Sequence, residues 1–336
     1  MSLPDGVVRP TRRRVGDEVA EPAAGAVGRP LRAVLRDAEV VLAAAGVPSP
    51  RADAELLAAH LLGVGRGELR TAAALGRDAP PELDRLAELL AHRSARIPLQ
   101  HLTGSAPFRG IELAVGPGVF VPRPETEQVA EVAVAAAREA VRLRGEALVV
   151  DLCTGSGAIA LAVAHEVPGA VVHAVELDAD AHAWAARNVA ALAGTVAGAA
   201  VLHRGDARTA LRELDGTVDV VVSNPPYVPP GAVPVDPEVA EHDPAVALYG
   251  LGADGLEVPR GIVAAAARLL RPGGLLVMEH AEVQDEAARA AVDATGAFTP
   301  ARTSVDLAGR PRMVVACRLA AGGGTTGPVD VEHSPS

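Results

Sequence analysis

Residues 146–160 read EALVVDLCTGSGAIA, and this stretch decides the fold. It opens with an apolar, β-branched run of strand length, EALVVDLC, and passes through TGSG into AIALAVAHEV (158–167), a pattern that suits a buried helix. A strand that turns through glycine into a helix is the opening unit of a nucleotide-binding α/β sheet. Gly155 and Gly157 allow the tight turn and let a ligand approach backbone with no side chain between.

Downstream, apolar runs alternate with helical patterns. AVVHAVELD (170–178), AAVLHRGD (199–206), VDVVVSN (218–224) and GGLLVMEH (273–280) read as further strands. ADAHAWAARNVAAL (179–192), ARTALREL (207–214) and VPRGIVAAAARLL (258–270) read as the helices between them. FTPARTSVDLA (298–308) and RPRMVVACRLA (310–320) supply a terminal antiparallel pair. The expected fold class is α/β, a Rossmann-like domain with a mostly parallel seven-stranded sheet. Right-handed crossovers would bring the strand ends carrying DLCTGSG, VELD, GDA and SNPPY to one rim.

Upstream the texture differs. Residues 30–95 repeat apolar positions at helical spacing, as in LRAVLRDAEVVLAAAG (31–46) and PELDRLAELLAHRSA (81–95), with breaks at SPR and GRG. This predicts a small helical domain. Residues 96–121, rich in Gly, Pro and short β-prone pieces, predict a hairpin linker. The main domain then runs from 122 to 320, and ETEQVAEVAVAAAREAVRLRG (125–145) predicts an amphipathic helix with acids first and arginines last. Residues 1–29 and 321–336 lack periodicity and are expected to be disordered.

Composition narrows the function. Formal net charge is −11 and the longest basic run is TRRR (11–14), which disfavours direct nucleic-acid binding. The apolar stretches are too short for a membrane span, and the N-terminal arginines are followed by GDEVAEPAAGAVGRP rather than an apolar segment. Two cysteines, Cys153 and Cys317, make no disulfide framework, and the ten histidines lack metal-ligand spacing. A cytoplasmic protein without bound metal is expected.

The glycine loop and its partners point to a cofactor. Glu176 ends the second strand 19 residues past Gly157, where a carboxylate can accept from ribose hydroxyls. That pairing suits a dinucleotide or S-adenosyl-L-methionine. Asp151, at the mouth of the loop, would repel a pyrophosphate and favour the ammonium and sulfonium charges of the methyl donor; a plain capping role is its alternative. Asp206 could accept from the adenine amino group or cap the helix predicted at 207–214.

SNPPYVPP (223–230) ends the fourth strand in residues that cannot continue a sheet. Transfer of a methyl group to a conjugated amino nitrogen needs acceptors that hold the NH₂ with its lone pair toward the methyl. Asn224 offers a side-chain oxygen, Pro225 a backbone carbonyl, and Pro226 stiffens the ledge that carries Tyr227, whose ring can flank a planar group. A Pro-rich turn with no chemistry is the alternative.

DLCTGSG followed by NPPY resembles the methyltransferases that act on planar nitrogen. PLQHLTGSAPFRG (98–110), VFVPRPETE (119–127), EHDPAVALYGLGADGL (241–256) and DLAGRPRMVVA (306–316) are similar to the release factor glutamine methyltransferase family, HemK/PrmC. The resemblance spans about residues 31–319. It implies a helical domain and an S-adenosylmethionine domain that together grip a class I peptide chain release factor. The implied target is the glutamine of the factor's Gly-Gly-Gln motif, and the enzyme is expected to be a monomer.

Carried over by position, the resemblance implies that Cys153, Thr154, Gly155, Ser156 and Gly157 line the methionine part of the donor, with Glu176 on the ribose. Asn224, Pro225, Pro226 and Tyr227 would hold the glutamine, with Arg123, Glu125 and Thr126 shaping the cleft and Phe108 packing near the entering side chain. Cys153 stands where the family usually has glycine, which is tolerable if its φ is negative, and it reads as a small buried side chain rather than a redox group. MEHA (278–281) replaces a frequent glycine. Two rivals stand beside this reading. One is an adenine N-methyltransferase for DNA or RNA, which an acidic chain disfavours; the other is a non-catalytic factor-binding module, which the intact loop and ledge disfavour.

Overall fold

A computed structural model describes residues 28–320, so nearly all of both expected disordered ends lie outside the described residues. The chain divides between Ser94 and Ala95 into two compact units.

The first unit is helical: α1 (Leu31–Ala44), α2 (Pro50–Leu62), α3 (Arg66–Ala74) and α4 (Leu86–Ser94), with a 3₁₀ turn at Pro81–Arg85. Leu31, Val34, Ala38 and Leu42 are buried at helical spacing along α1. The SPR break starts α2, with Pro50 at its first helical position, and Gly63 closes that helix at φ 64°. Within the bundle, Arg93 donates to Asp53 at 2.8 Å.

The second unit begins with α5 (Leu99–Thr103) and an antiparallel hairpin of β1 (Ser105–Phe108) and β2 (Ile111–Ala114). The 96–121 segment therefore belongs to this unit and includes a short helix that its β-prone texture did not predict. Next come α6 (Thr126–Arg144), β3 (Ala147–Leu152), α7 (Ala158–Glu166), β4 (Ala170–Glu176), α8 (Ala179–Leu192), β5 (Ala199–Arg204) and β6 (Val218–Ser223). Then follow α9 (Pro237–His242), α10 (Ala245–Leu248), α11 (Glu257–Leu269), β7 (Leu270–Glu279), α12 (Asp285–Asp293), β8 (Arg302–Val305) and β9 (Pro311–Cys317).

The seven-stranded sheet has the order β5-β4-β3-β6-β7-β9-β8, parallel from β5 to β7 and antiparallel at β9 and β8. Alternate residues feed opposite cores, as the period of a strand requires. Val149, Val220, Val222 and Val277 pack with α6 and α7 on one face. Val150, Val221, Leu276 and Met278 pack with α11 on the other.

The strand order reverses between β3 and β6, the switch point where α/β sheets bind ligands beyond the carboxyl ends. Leu152 pairs with both Val175 and Ser223. The chain thus leaves three neighbouring strands at one level, placing Cys153, Glu176 and Asn224 along the rim.

One predicted element is absent. ARTALREL forms no α-helix, only turns and a 3₁₀ turn at Arg212–Leu214. Asp206 folds back on its own neighbours, accepting from the Arg208 backbone at 2.9 Å and from the Arg208 guanidinium. Leu211 stands at φ 55°, which breaks a right-handed helix. Asp206 is therefore a turn residue and not the cap of an α-helix. Among the described residues no helix is long and apolar enough to cross a membrane.

Candidate active site

The glycine loop leaves β3 through three left-handed residues, Cys153 (φ 64°), Gly155 (φ 58°) and Gly157 (φ 87°). Cys153 does not meet the condition of a negative φ under which a cysteine would replace glycine freely. A cysteine there carries a steric cost of about 1–2 kcal/mol that glycine avoids. An added Cβ on Gly155 would meet nothing within 4 Å, so the loop presents open backbone on that side, as close approach of a ligand requires.

Asp151 lies beneath the loop rather than at its mouth. It is wholly buried, and its Oδ2 accepts from Thr154 Oγ1 at 2.5 Å and from the Ala160 amide at 3.1 Å. Burial raises its pKa to about 7 against the opposing pull of those two bonds. Its first role is to brace the strand-to-helix turn, and at neutral pH it carries less than a full charge. Oδ1 is buried without a partner among the described residues.

Glu176 reaches across from β4. Its Oε2 accepts from the Gly155 amide at 2.8 Å and its Oε1 from the Asp178 amide at 2.8 Å. Burial raises its pKa, partly offset by those backbone donors. Each carboxylate oxygen keeps lone-pair capacity for a hydroxyl donor. Asp206 follows β5 by two residues, in the turn at the same rim; its pKa is lowered chiefly by the Arg208 side chain. Open glycine backbone flanked by acceptors suits the ribose and adenine of S-adenosyl-L-methionine.

Asn224 starts the ledge beside this loop. Ser223, wholly buried, donates its hydroxyl to the Leu152 carbonyl at 2.6 Å and so ties the two strand ends together. Asn224 Nδ2 donates to Thr126 Oγ1 at 3.3 Å. Among the described residues neither Asn224 Oδ1 nor the Pro225 carbonyl has a hydrogen-bond donor. The ledge therefore offers two unfilled acceptors on consecutive residues.

Behind the ledge sits a carboxylate. Glu279, 3% exposed at the end of β7, accepts from Thr126 Oγ1 at 2.8 Å and from the Tyr227 hydroxyl at 3.3 Å. Burial raises Glu279 to about 7 and pushes the Tyr227 phenol well above its ordinary value. From the far side, Gln284 Nε2 donates to the Tyr227 carbonyl at 2.8 Å. Val228 exchanges backbone bonds with Leu248 and Gly250, so the 249–256 segment clamps the ledge.

The remaining expected residues divide. Arg123 donates to Asp243 at 2.5 Å and stacks over Phe120 at 4.9 Å, so its charge is already spent on shaping the wall. Glu125 sits half-buried at the start of α6 with no side-chain cap bond. Phe108 departs from expectation: it is 1% exposed and packed with Ile111, Leu113 and Val129. In a chain with three phenylalanines, the hairpin spends this ring on core volume rather than on an open cleft surface.

Residue-by-residue reading missed Glu279, Asn188 and Gly250. Ser223 pairs with Met278 across β6 and β7, so the rim logic that found Asn224 also leads to Glu279. Asn188 donates to the Ser156 and Ala114 carbonyls at 2.9 and 3.0 Å, tying the glycine loop to the hairpin. An asparagine inside a helix gives no such hint.

Comparison with known proteins agrees with this geometry. Residues 33–104 match the family described as the PrmC N-terminal domain, and residues 116–240 match the methyltransferase small domain. The release factor glutamine methyltransferase of Streptomyces coelicolor is 52% identical over 277 residues, 82% of this chain and 93% of the relative. That of Mycolicibacterium smegmatis is 50% identical over 86% of this chain and 98% of the relative. A 4-amino-L-phenylalanine/4-methylamino-L-phenylalanine methyltransferase of Streptomyces pristinaespiralis is 43% identical over 81% and 90%. With a glycine loop, a ribose-competent acid and an acceptor ledge at one switch point, and with relatives matched over nearly their whole length, the chain belongs to the release factor glutamine methyltransferases.

Proposed function

We propose that the chain methylates the side-chain amide nitrogen of the glutamine in the Gly-Gly-Gln motif of class I peptide chain release factors. The observation that carries this reading is the pair of unfilled acceptors, Asn224 Oδ1 and the Pro225 carbonyl, fixed beside the glycine loop at the β3–β6 switch point. S-adenosyl-L-methionine supplies, when bound, an electrophilic methyl group on sulfonium. Cys153 to Gly157 would line its methionine part, Glu176 its ribose hydroxyls and Asp206 its adenine.

The protein's part is orientation. An amide nitrogen is a weak nucleophile because its lone pair is delocalised. Two acceptors that take its two N–H groups hold the nitrogen in one attitude and favour its pyramidal form as it attacks. Pro225 and Pro226 restrict φ along the ledge, so little reorganisation is left to the reacting complex. Tyr227 flanks the planar amide and excludes water. Arg123 and Glu125 shape the wall, and Phe108 supports it from the core. No strong base is needed, because the nitrogen becomes acidic once the methyl has bonded.

In this reading the helical unit contributes to factor binding, and the enzyme acts as a monomer in the cytoplasm; sedimentation checks its oligomeric state. The Streptomyces pristinaespiralis relative, named for an aromatic amine substrate, favours a second reading, since the same ledge would seat any planar amine. One experiment separates them. Labelled donor is incubated with release factors, wild type or with the Gly-Gly-Gln glutamine replaced, with 4-amino-L-phenylalanine, and with DNA and RNA. Label is expected only on the wild-type factors. Label on the glutamine-replaced factor, the free amino acid or nucleic acid alone would overturn the proposal.

A further inference from the structure

We infer that Glu279 sets, through the hydroxyl of Thr126, which end of the Asn224 side-chain amide faces the substrate; this makes Thr126 and Glu279 positioning residues of the site, and it rests on the function proposed above. A serine-type hydroxyl has one proton to give and two lone pairs to receive. Thr126 Oγ1 lies 2.8 Å from Glu279 Oε2 and 3.3 Å from Asn224 Nδ2. A carboxylate only accepts. Thr126 must therefore spend its one proton on Glu279 and can only accept from Asn224.

The polarity of the chain is fixed from its buried end. Asn224 turns its NH₂ to Thr126, and Oδ1 is left for the incoming N–H. Tyr227, with its single proton also committed to Glu279, is locked by the same rule at 3.3 Å. One carboxylate thus orients both side chains of the ledge.

Neutralising Glu279 lifts the constraint. A protonated acid or a glutamine can donate to Thr126, whose proton is then free to turn toward Asn224 and hold Oδ1 instead. The substrate would meet an NH₂ where it needs an acceptor. Burial raises the Glu279 pKa with help from the anion of Glu125, and it outweighs the lowering by Thr126, the cation of Arg312 and Tyr227, placing the carboxyl near 7. The relay accordingly switches within an accessible pH range.

The sequence offers a direct test, because it contains two asparagines, Asn188 and Asn224. Protein labelled with ¹⁵N-asparagine gives two side-chain NH₂ groups in an NMR spectrum, and Asn188, held by two backbone carbonyls, serves as the internal control for folding. In the free wild-type protein the Asn224 NH₂ signals are expected to shift as pH passes through about 7, and those of Asn188 to stay. The shift is expected to vanish in Glu279→Gln and in Thr126→Val.

Turnover on a release factor is expected to fall on the order of 10- to 100-fold in both variants, with donor affinity retained. Thr126→Ser is expected to restore most of what Thr126→Val loses. An Asn224 NH₂ that does not titrate in the wild type, or that titrates equally in Thr126→Val, would overturn the relay. So would undiminished turnover in Thr126→Val. The spectrum is read without substrate, so a chain that methylates no release factor overturns the proposed function while the relay is still decided by the Asn224 signals.

Discussion

The backbone N–H of Gly155 donates to Glu176 Oε2 at 2.8 Å, which makes the glycine loop and the acid of the neighbouring strand one unit. The other oxygen, Oε1, takes the Asp178 amide at 2.8 Å. A glutamine in that pose offers one oxygen and one NH₂, so one of the two backbone donors would face another donor. Glu176→Gln is expected to weaken donor binding by roughly 10-fold or more, since a lost partner at a buried group costs about 1–3 kcal/mol. Calorimetric titration with S-adenosyl-L-methionine checks this, and an unchanged affinity would remove Glu176 from the cofactor site.

Gly250 has no room for a side chain. A Cβ built there lies 2.5 Å from the Pro226 carbonyl oxygen and 1.9 Å from that of Gly255. Both are backbone atoms and cannot swing away, so Gly250→Ala must push the ledge. We expect a loss of roughly 1–3 kcal/mol in stability, as for other overpacked sites, together with lower turnover. Gly67→Ala is the control: its Cβ meets nothing within 4 Å, it lies in α3, and it should stabilise slightly. Equal melting temperatures for the two variants would contradict the clamp.

Asn224→Ala removes one of the two acceptors and leaves the glycine loop and Glu176 untouched. Turnover is expected to fall by roughly 100-fold or more while donor affinity changes little. Donor titration and single-turnover kinetics on one preparation separate the two effects. Full turnover would show that the ledge orients nothing.

Much of this was legible in the sequence because the relevant signals are local. The strand before DLCTGSG and the break at SNPPY depend on residues within a few positions of each other, and the parallel topology then aligns their ends. ARTALREL was misread because a helical pattern of apolar residues says nothing of the Asp206–Arg208 contact that competes with it. Whether position 153 tolerates a cysteine was not legible because residue type does not report φ, and the loop places a left-handed residue there. The place of Glu279 on the rim follows from the strand register, but its bonds do not: its partners, Thr126 and Tyr227, lie 153 and 52 residues away. Long-range polar networks leave no periodic trace in one sequence.

Glu279 also ties the site to stability. Its pKa is raised from 4.5 to about 7 in the folded protein, chiefly by burial. A raised acid contributes stability that is fully present below its unfolded pKa, and that contribution is lost as pH climbs through the folded one. Over the window from 4.5 to about 7 the unfolded chain releases a proton that the native state keeps, a cost on the order of 3 kcal/mol once complete. The histidines oppose this in the same range, since burial lowers His101, His173 and His280 and their contribution grows with pH. A difference measurement isolates the carboxyl: the stability of Glu279→Gln relative to wild type, from denaturant unfolding, is expected to increase between about pH 5 and pH 8. A difference that stays constant across that range would mean that Glu279 does not change its protonation there, and the pH-dependent relay through Thr126 would fail with it.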